Sequence, residues 1–313
     1  MSISTRRPLV GETSDLIQIW KTVFDDGDDD GFFSYYYDPE LSVVATHEGV
    51  PTAAGYLLPA GNIVFGNLCV PCAMIYAVAT LPEHRNLGYG SAVVNELIAT
   101  GHRTGYSAIA LCPATDSLFG YYSARTKLRE CFYVTERILD DIQPCAGQTT
   151  LCAISPDEYH RLRKTMLKDI PHLEPDRRAL LYQQLLTKKL GGGLFRAETS
   201  SGDVSCAVIE RRFDGSLWIK ELLTSGCHEA DVLSAIASDF PASKYCIRTP
   251  ALRLSPTMQA ENHQDSDAGN TVSGVLLPPP VSTRRFAMLN APDALMLTIT
   301  TQNLAPWLGF AFD

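Results

Sequence analysis

Basic residues are scarce in this chain of 313 residues: 26 lysines and arginines face 35 aspartates and glutamates, for a net charge of −9 and a pI near 5.3. That balance argues against nucleic acid or an anionic membrane as partner and suits a cationic substrate. Long apolar runs are missing as well. None approaches the ~20 residues that a bilayer requires, and no charged-then-apolar leader opens the chain. A cytoplasmic location is expected. The nine cysteines are odd in number and scattered, which excludes a regular disulfide framework and reads as reduced core thiols. Cys69-Val70-Pro71-Cys72 is a single C-x-x-C with no second pair or nearby histidine to complete a zinc site, so no metal is expected. Both common phosphate signatures are absent: there is no Gly-Lys-Ser/Thr P-loop and no G-x-G-x-x-G.

What is present is a different glycine loop, Arg85-Asn86-Leu87-Gly88-Tyr89-Gly90-Ser91. Residues 74–80 before it (Met-Ile-Tyr-Ala-Val-Ala-Thr) predict a buried strand. Leu81-Pro82-Glu83-His84 predicts a turn, because proline cannot continue a central ladder. From Ser91 onward Val93, Val94, Leu97 and Ile98 fall at helical spacing, with Gly101 expected to end the helix. Strand, glycine loop, helix is the arrangement that aims free backbone N–H groups and the positive end of a helix dipole at one point. Gly88 and Gly90 would admit a diphosphate with no Cβ in the way, and Arg85 adds a charge beside it.

The pattern Arg-x-x-Gly-x-Gly after a strand and a Pro-Glu-His turn resembles the acetyl-CoA loop of the GNAT N-acetyltransferase superfamily. The surrounding order agrees: a helix near 13–24, an acidic loop at 25–30, aromatic residues 32–37, strands near 41–46 and 51–58, then strand, loop, helix, a strand at 107–112 and a helix at 117–129. The resemblance implies an α/β GNAT fold, a mixed sheet flanked by helices, over residues 1–150. It implies acetyl-CoA as co-substrate, held by Arg85 to Ser91, and a thioester carbonyl held by backbone N–H near Val78, Ala79 and Thr80. It further implies a general acid on the helix after the fifth strand. Tyr122 is the candidate there and Tyr121 stands next to it; the usual Gly-Phe is replaced by Lys127-Leu128 at shifted spacing. Glu83 and His84 read as structural members of the turn. Asp25, Asp26, Asp28, Asp29 and Asp30 could gather a cationic amine but read first as a solvated loop.

Residues 151–313 repeat a similar order: helices within 155–190, strands near 193–197, 205–211 and 217–222, a helix near 229–240, and a strand near 244–248. They carry no Arg-x-x-Gly-x-Gly. The layout resembles the two-GNAT proteins related to the enhanced-intracellular-survival acetyltransferases, which implies a divergent second GNAT-like domain without CoA. That half would wall the substrate site or form a subunit interface in a homo-oligomer. A polar stretch at 255–273 reads as a loop, and the chain ends on an aromatic, apolar tail. By the same resemblance the α-carboxylate of Asp313 is the candidate general base. The expected activity is acetyl transfer to a primary amine of a small molecule or peptide. The alternative is an acyl-CoA-binding sensor that has lost the chemistry.

Overall fold

The structure is a computed structural model that describes residues 3–24, 29–140, 142–144, 149–224, 229–251 and 282–311. The first half runs β1 (Ser4–Arg6), α1 (Thr13–Val23), α2 (Asp29–Tyr35), β2 (Ser42–His47), β3 (Val50–Phe65), β4 (Leu68–Thr80), α3 (Tyr89–Arg103), β5 (Ala108–Leu111), α4 (Ser117–Arg125) and β6 (Arg129–Asp140). The second half runs β7 (Thr150–Ala153), α5 (Pro156–Met166), β8 (His172–Pro175), α6 (Arg177–Lys189), β9 (Gly193–Glu198), β10 (Val204–Arg211), β11 (Leu217–Thr224), α7 (Glu229–Asp239), β12 (Lys244–Pro250), β13 (Ser282–Asn290) and α8 (Asp293–Thr300). Most expected elements are present, but the helix expected over 117–129 ends at Arg125 and Arg129 already begins β6, and residues 29–30 of the expected acidic loop open α2; residues 25–28 and the whole polar stretch at 255–273 fall outside the described residues. The class is the expected mixed α/β, with helices on both faces of one large sheet.

Twelve strands follow each other in the order β1-β2-β3-β4-β5-β13-β6-β12-β11-β10-β9-β7, and β8 pairs β3 from the side. Two antiparallel strands, then a parallel crossover through a helix, occur twice: β3-β4-α3-β5 and β10-β11-α7-β12. Each set is then extended by a strand from the other half. β13 inserts between β5 and β6, and β6 pairs β12. The sheet is therefore continuous across residue 150, where sequence alone suggested a boundary.

Three apolar clusters cover the faces. Leu16, Ile19 and Trp20 of α1 share the largest with Leu180 and Leu186 of α6 and with Trp307 of the tail. Val93, Val94 and Leu97 of α3 pack with Leu57, Ile75 and Ile109, and each such fully buried side chain contributes about 1.5–3 kcal/mol. Val232 and Ile236 of α7 cover β10 to β12.

Two local expectations are corrected. Gly101 does not end α3. It lies inside the helix, where a Cβ would meet Ile109 Cδ1 at 2.3 Å, so its function is close packing on β5. The strand before the loop is also longer than residues 74–80, since β4 begins at Leu68 and contains the whole C-x-x-C. Cys69 is exposed and Cys72 buried, and burial pushes the Cys72 thiol up to about 12. These are separate strand residues rather than a thiol pair.

Candidate active site

The site begins where β4 and β5 part. Their parallel pairing runs from Cys72 opposite Ala108 to Ile75 opposite Leu111 and stops there, while β4 continues to Thr80 against β3. Residues 76–80 thus have β3 on one side and, among the described residues, no strand on the other. The cause of the divergence is local. Between the pairs Tyr56–Tyr76 and Ala54–Ala79, β4 carries one residue more than β3, which makes a bulge and bends the strand. Ala77 sits in that bulge with φ +47°, a left-handed conformation that is rare for a residue with a Cβ. Such strain persists only where the surrounding packing holds it, and it gathers at working sites.

The loop after β4 is built from backbone. Pro82–His84 makes one 3-10 turn, and Arg85 Nε donates to the Thr80 carbonyl at 3.2 Å. Asn86 (φ +63°) and Gly88 (φ +94°) both adopt left-handed conformations; asparagine and glycine are the residues that tolerate them best. Gly88 is the N-cap of α3, with no side chain capping it. The first-turn N–H groups of α3 therefore face outward, as an anion site requires. A Cβ on Gly90 would meet only Thr80 Oγ1 at 3.5 Å and the Tyr121 hydroxyl at 3.6 Å. The cradle is thus open in front of its amides.

The site residues expected from sequence divide by role. Arg85, Asn86, Leu87, Gly88, Gly90 and Ser91 surround the cradle, and the Ser91 hydroxyl closes it by donating to the Gly88 carbonyl at 2.9 Å. The Tyr89 side chain is turned inward and buried, with its hydroxyl hydrogen-bonded to His47 Nδ1 at 2.9 Å. Only its backbone can serve a ligand. His84 of the 3-10 turn stands 4.9 Å ring to ring from His47 at the end of β2.

A cavity of about 540 Å3 opens at the parting of the strands. Tyr76, Ala77 and Val78 of β4 line it, with Cys112 and Pro113 after β5 and Tyr122 of α4. Ala79, by contrast, is buried in the core, so only its backbone can take part. Tyr122 is 8% exposed, and burial, assisted by the neighbouring Tyr121, pushes its phenol up to about 12. Tyr121 packs edge-on against it at 5.2 Å between ring centroids and carries Arg125 over its other side. The structure therefore separates the two candidates: Tyr121 lies toward the cradle and Tyr122 enters the cavity. Leu128, at the shifted Gly-Phe position, is buried under α3.

Sequence reasoning missed the remaining wall. Arg212 after β10, Trp218 of β11, Arg248 of β12, and Arg284 and Phe286 of β13 all line the same cavity, as does Ala311 of the tail. No motif marks them, because they converge only through the cross-pairing of β6, β12 and β13. Asp313 and the acidic residues 25–28 lie outside the described residues, and the side chains of Asp29 and Asp30 are likewise not described. Phe24, next to the acidic run, lines the cavity. Among the described residues no group of three histidine, cysteine, aspartate or glutamate side chains could hold a metal, and no helix is long and apolar enough to cross a membrane.

Comparison with known proteins agrees with this geometry. Residues 5–125 match the family model described as an acetyltransferase (GNAT) domain. Comparison with curated protein sequences finds no match. Among solved structures the chain is similar to a probable N-acyltransferase from Enterococcus faecalis V583, at TM-score 0.63 and 14% identity over 95% of this chain and 74% of the other. It is similar to a GCN5-related N-acetyltransferase from Kribbella flavida, at TM-score 0.62 and 15% identity over 94% and 73%. It is also similar to Eis1 from Mycobacterium abscessus, at TM-score 0.54 and 10% identity over 94% and 74%. At these identities the structural likeness establishes the fold, and the family match establishes the domain. Residues 5–125 are thus identified as an acetyltransferase (GNAT) domain, carried by a chain whose overall fold is that of the GNAT-type structures it resembles.

Proposed function

We propose that this chain transfers an acetyl group from acetyl-CoA to a primary amine, with Tyr122 as general acid. One observation carries the reading: an unpaired strand edge at residues 76–80 lies between an amide cradle at 85–91 and a cavity entered by a buried phenol. The cradle amides and Arg85 suit a diphosphate. The free edge of β4 suits a pantetheine arm pairing as an extra strand, with N–H groups near Val78 and Ala79 available to a thioester oxygen.

In the reaction the amine nitrogen forms a bond to the carbonyl carbon as the carbon–sulfur bond breaks. The departing sulfur takes its proton from the Tyr122 hydroxyl, and the amine gives up a proton to a base. Burial keeps the Tyr122 phenol protonated at neutral pH, which is what an acid needs before the step. Asp313 is the proposed base. Ala311 lines the cavity, and two further residues reach at most about 7 Å.

The test is acetyl-CoA consumption with a panel of amines. Tyr122→Phe should lower kcat by about 10²–10⁴-fold with CoA affinity unchanged. An unaltered kcat would remove Tyr122 from the role. CoA binding without turnover of any amine would favour the sensor reading, which the shifted Lys127-Leu128 spacing supports.

A further inference from the structure

Aromatic rings from both halves of the chain wall the cavity that receives Tyr122. Phe24, just past the end of α1, meets Trp20 edge-on at 5.3 Å between ring centroids, and Trp20 stands 5.9 Å from Tyr76 of β4. These three rings make one continuous wall, which ends one residue before the strained Ala77. Trp218 of β11 and Phe286 of β13 belong to a second wall. The Arg248 guanidinium joins them, 4.6 Å from one ring centroid and 5.1 Å from the other. Trp20 and Phe286 are buried, whereas Phe24 and Trp218 keep part of their surface open.

The acyl carrier does not account for these rings. Its proposed path runs from the cradle at 85–91 along residues 76–80, and of the five rings only Tyr76 lies on that path. The other four border the rest of the cavity, which is the space left for the second substrate. Asparagine, glutamine, serine and threonine side chains, which commonly partner the hydroxyls of a sugar, are missing from the lining among the described residues. What the walls offer is apolar area and flat faces. Aromatic rings pack edge-to-face or offset on one another, and a guanidinium plane stacks on a ring as well.

We infer that the acceptor is an arylalkylamine, a primary amine with an aromatic ring a few carbons away, whose ring enters between these walls while its nitrogen faces Ala77 and Val78. The inference rests on the acetyl-transfer reading and names its substrate class. A cavity of about 540 Å3 has room for a molecule of that size beside the acetyl group. Moving a phenyl ring out of water and against such walls favours binding by about ten- to a hundredfold.

The experiment compares kcat/KM for phenethylamine and tryptamine with that for n-butylamine, glucosamine and spermidine, all with acetyl-CoA. Binding of the same amines to the CoA-loaded protein is measured by calorimetry. The expected result is a preference of tenfold or more for at least one ring-bearing amine over n-butylamine, which carries the same charge. Phe24→Ala should erase most of that ratio through KM and leave CoA affinity unchanged. Trp218→Leu, on the other wall, should do the same and serves if Phe24→Ala fails to fold. Equal or better turnover of n-butylamine, glucosamine or spermidine would overturn the inference and leave acetyl transfer standing. Variants that slow ring-bearing and ring-free amines alike would also overturn it, assigning the rings to packing of the chain itself. CoA binding with neither turnover nor binding of any amine would overturn both readings.

Discussion

Trp307 donates its indole N–H to Glu221 Oε2 at 2.6 Å, across 86 residues of sequence and in the fully buried interior. The same carboxylate accepts from Arg163 Nε at 2.8 Å and from the Tyr159 hydroxyl. Gly309, two residues beyond Trp307, has φ +85°, and a Cβ there would come within 2.5 Å of Glu221 Oε2. This cluster fastens the tail to β11 and directs it toward Ala311 at the cavity. Glu221→Gln leaves the Arg163 charge buried without its counterion, which costs about 3–5 kcal/mol. Thermal or denaturant unfolding should register a loss of that size, and a loss under about 1 kcal/mol would contradict the assigned role.

A neighbour of that cluster makes stability depend on acid. His172 is held down to about 4 from the ordinary 6.5, first by burial and then by the Arg163 charge. Its neutral ring donates from Nδ1 to the Ile170 carbonyl at 2.7 Å. Because its folded-state pKa is depressed, the histidine's contribution is complete above pH 6.5 and is lost as pH falls through about 4. The loss amounts to about 3 kcal/mol. Denaturant midpoints of His172→Phe should be nearly flat between pH 6.5 and 4, where the parent declines. An equal slope in both proteins would place the acid sensitivity elsewhere.

The cradle can be blocked with or without disturbing its backbone. Gly88→Glu combines a charge with a side chain at φ +94°, so some loss of stability is expected with it. Gly90→Glu adds the same charge where the Cβ meets only ordinary contacts. Calorimetric titration with CoA should find affinity lowered at least a hundredfold in Gly90→Glu, with the melting temperature within a few degrees of the parent. Normal affinity in that variant would refute the cradle assignment.

The bulge is testable through its strained residue. Ala77→Val puts a β-branched side chain at φ +47°, which should cost on the order of 1–3 kcal/mol. If the bulge is what parts β4 from β5, kcat should fall by more than the KM for acetyl-CoA rises. A stable, fully active variant would mean that the parting has another origin.

The strand, turn, glycine loop and helix were legible in the sequence because their residues stand in a row: a proline turn, two glycines and the start of a helix. The strand and helix periodicities around it were equally local. The bulge at Ala77 was not legible, since nothing in Tyr-Ala-Val announces a left-handed alanine; it depends on the register with β3. The arginine wall was not legible either. Arg212 just after β10, Arg248 of β12 and Arg284 of β13 line one cavity, in a sheet where β13 inserts between β5 and β6 and β6 pairs β12. Gly101 was misread because a glycine that ends a helix and one that lets a strand approach look alike in sequence.

The most direct measurement is a crystal structure of the chain with acetyl-CoA. The account predicts the diphosphate on the backbone amides of residues 86–90, the pantetheine along the free edge of β4 at residues 76–80, and the thioester sulfur within hydrogen-bonding reach of the Tyr122 hydroxyl. Density for the carrier at any other place on the molecule, or a sulfur far from Tyr122, would contradict it.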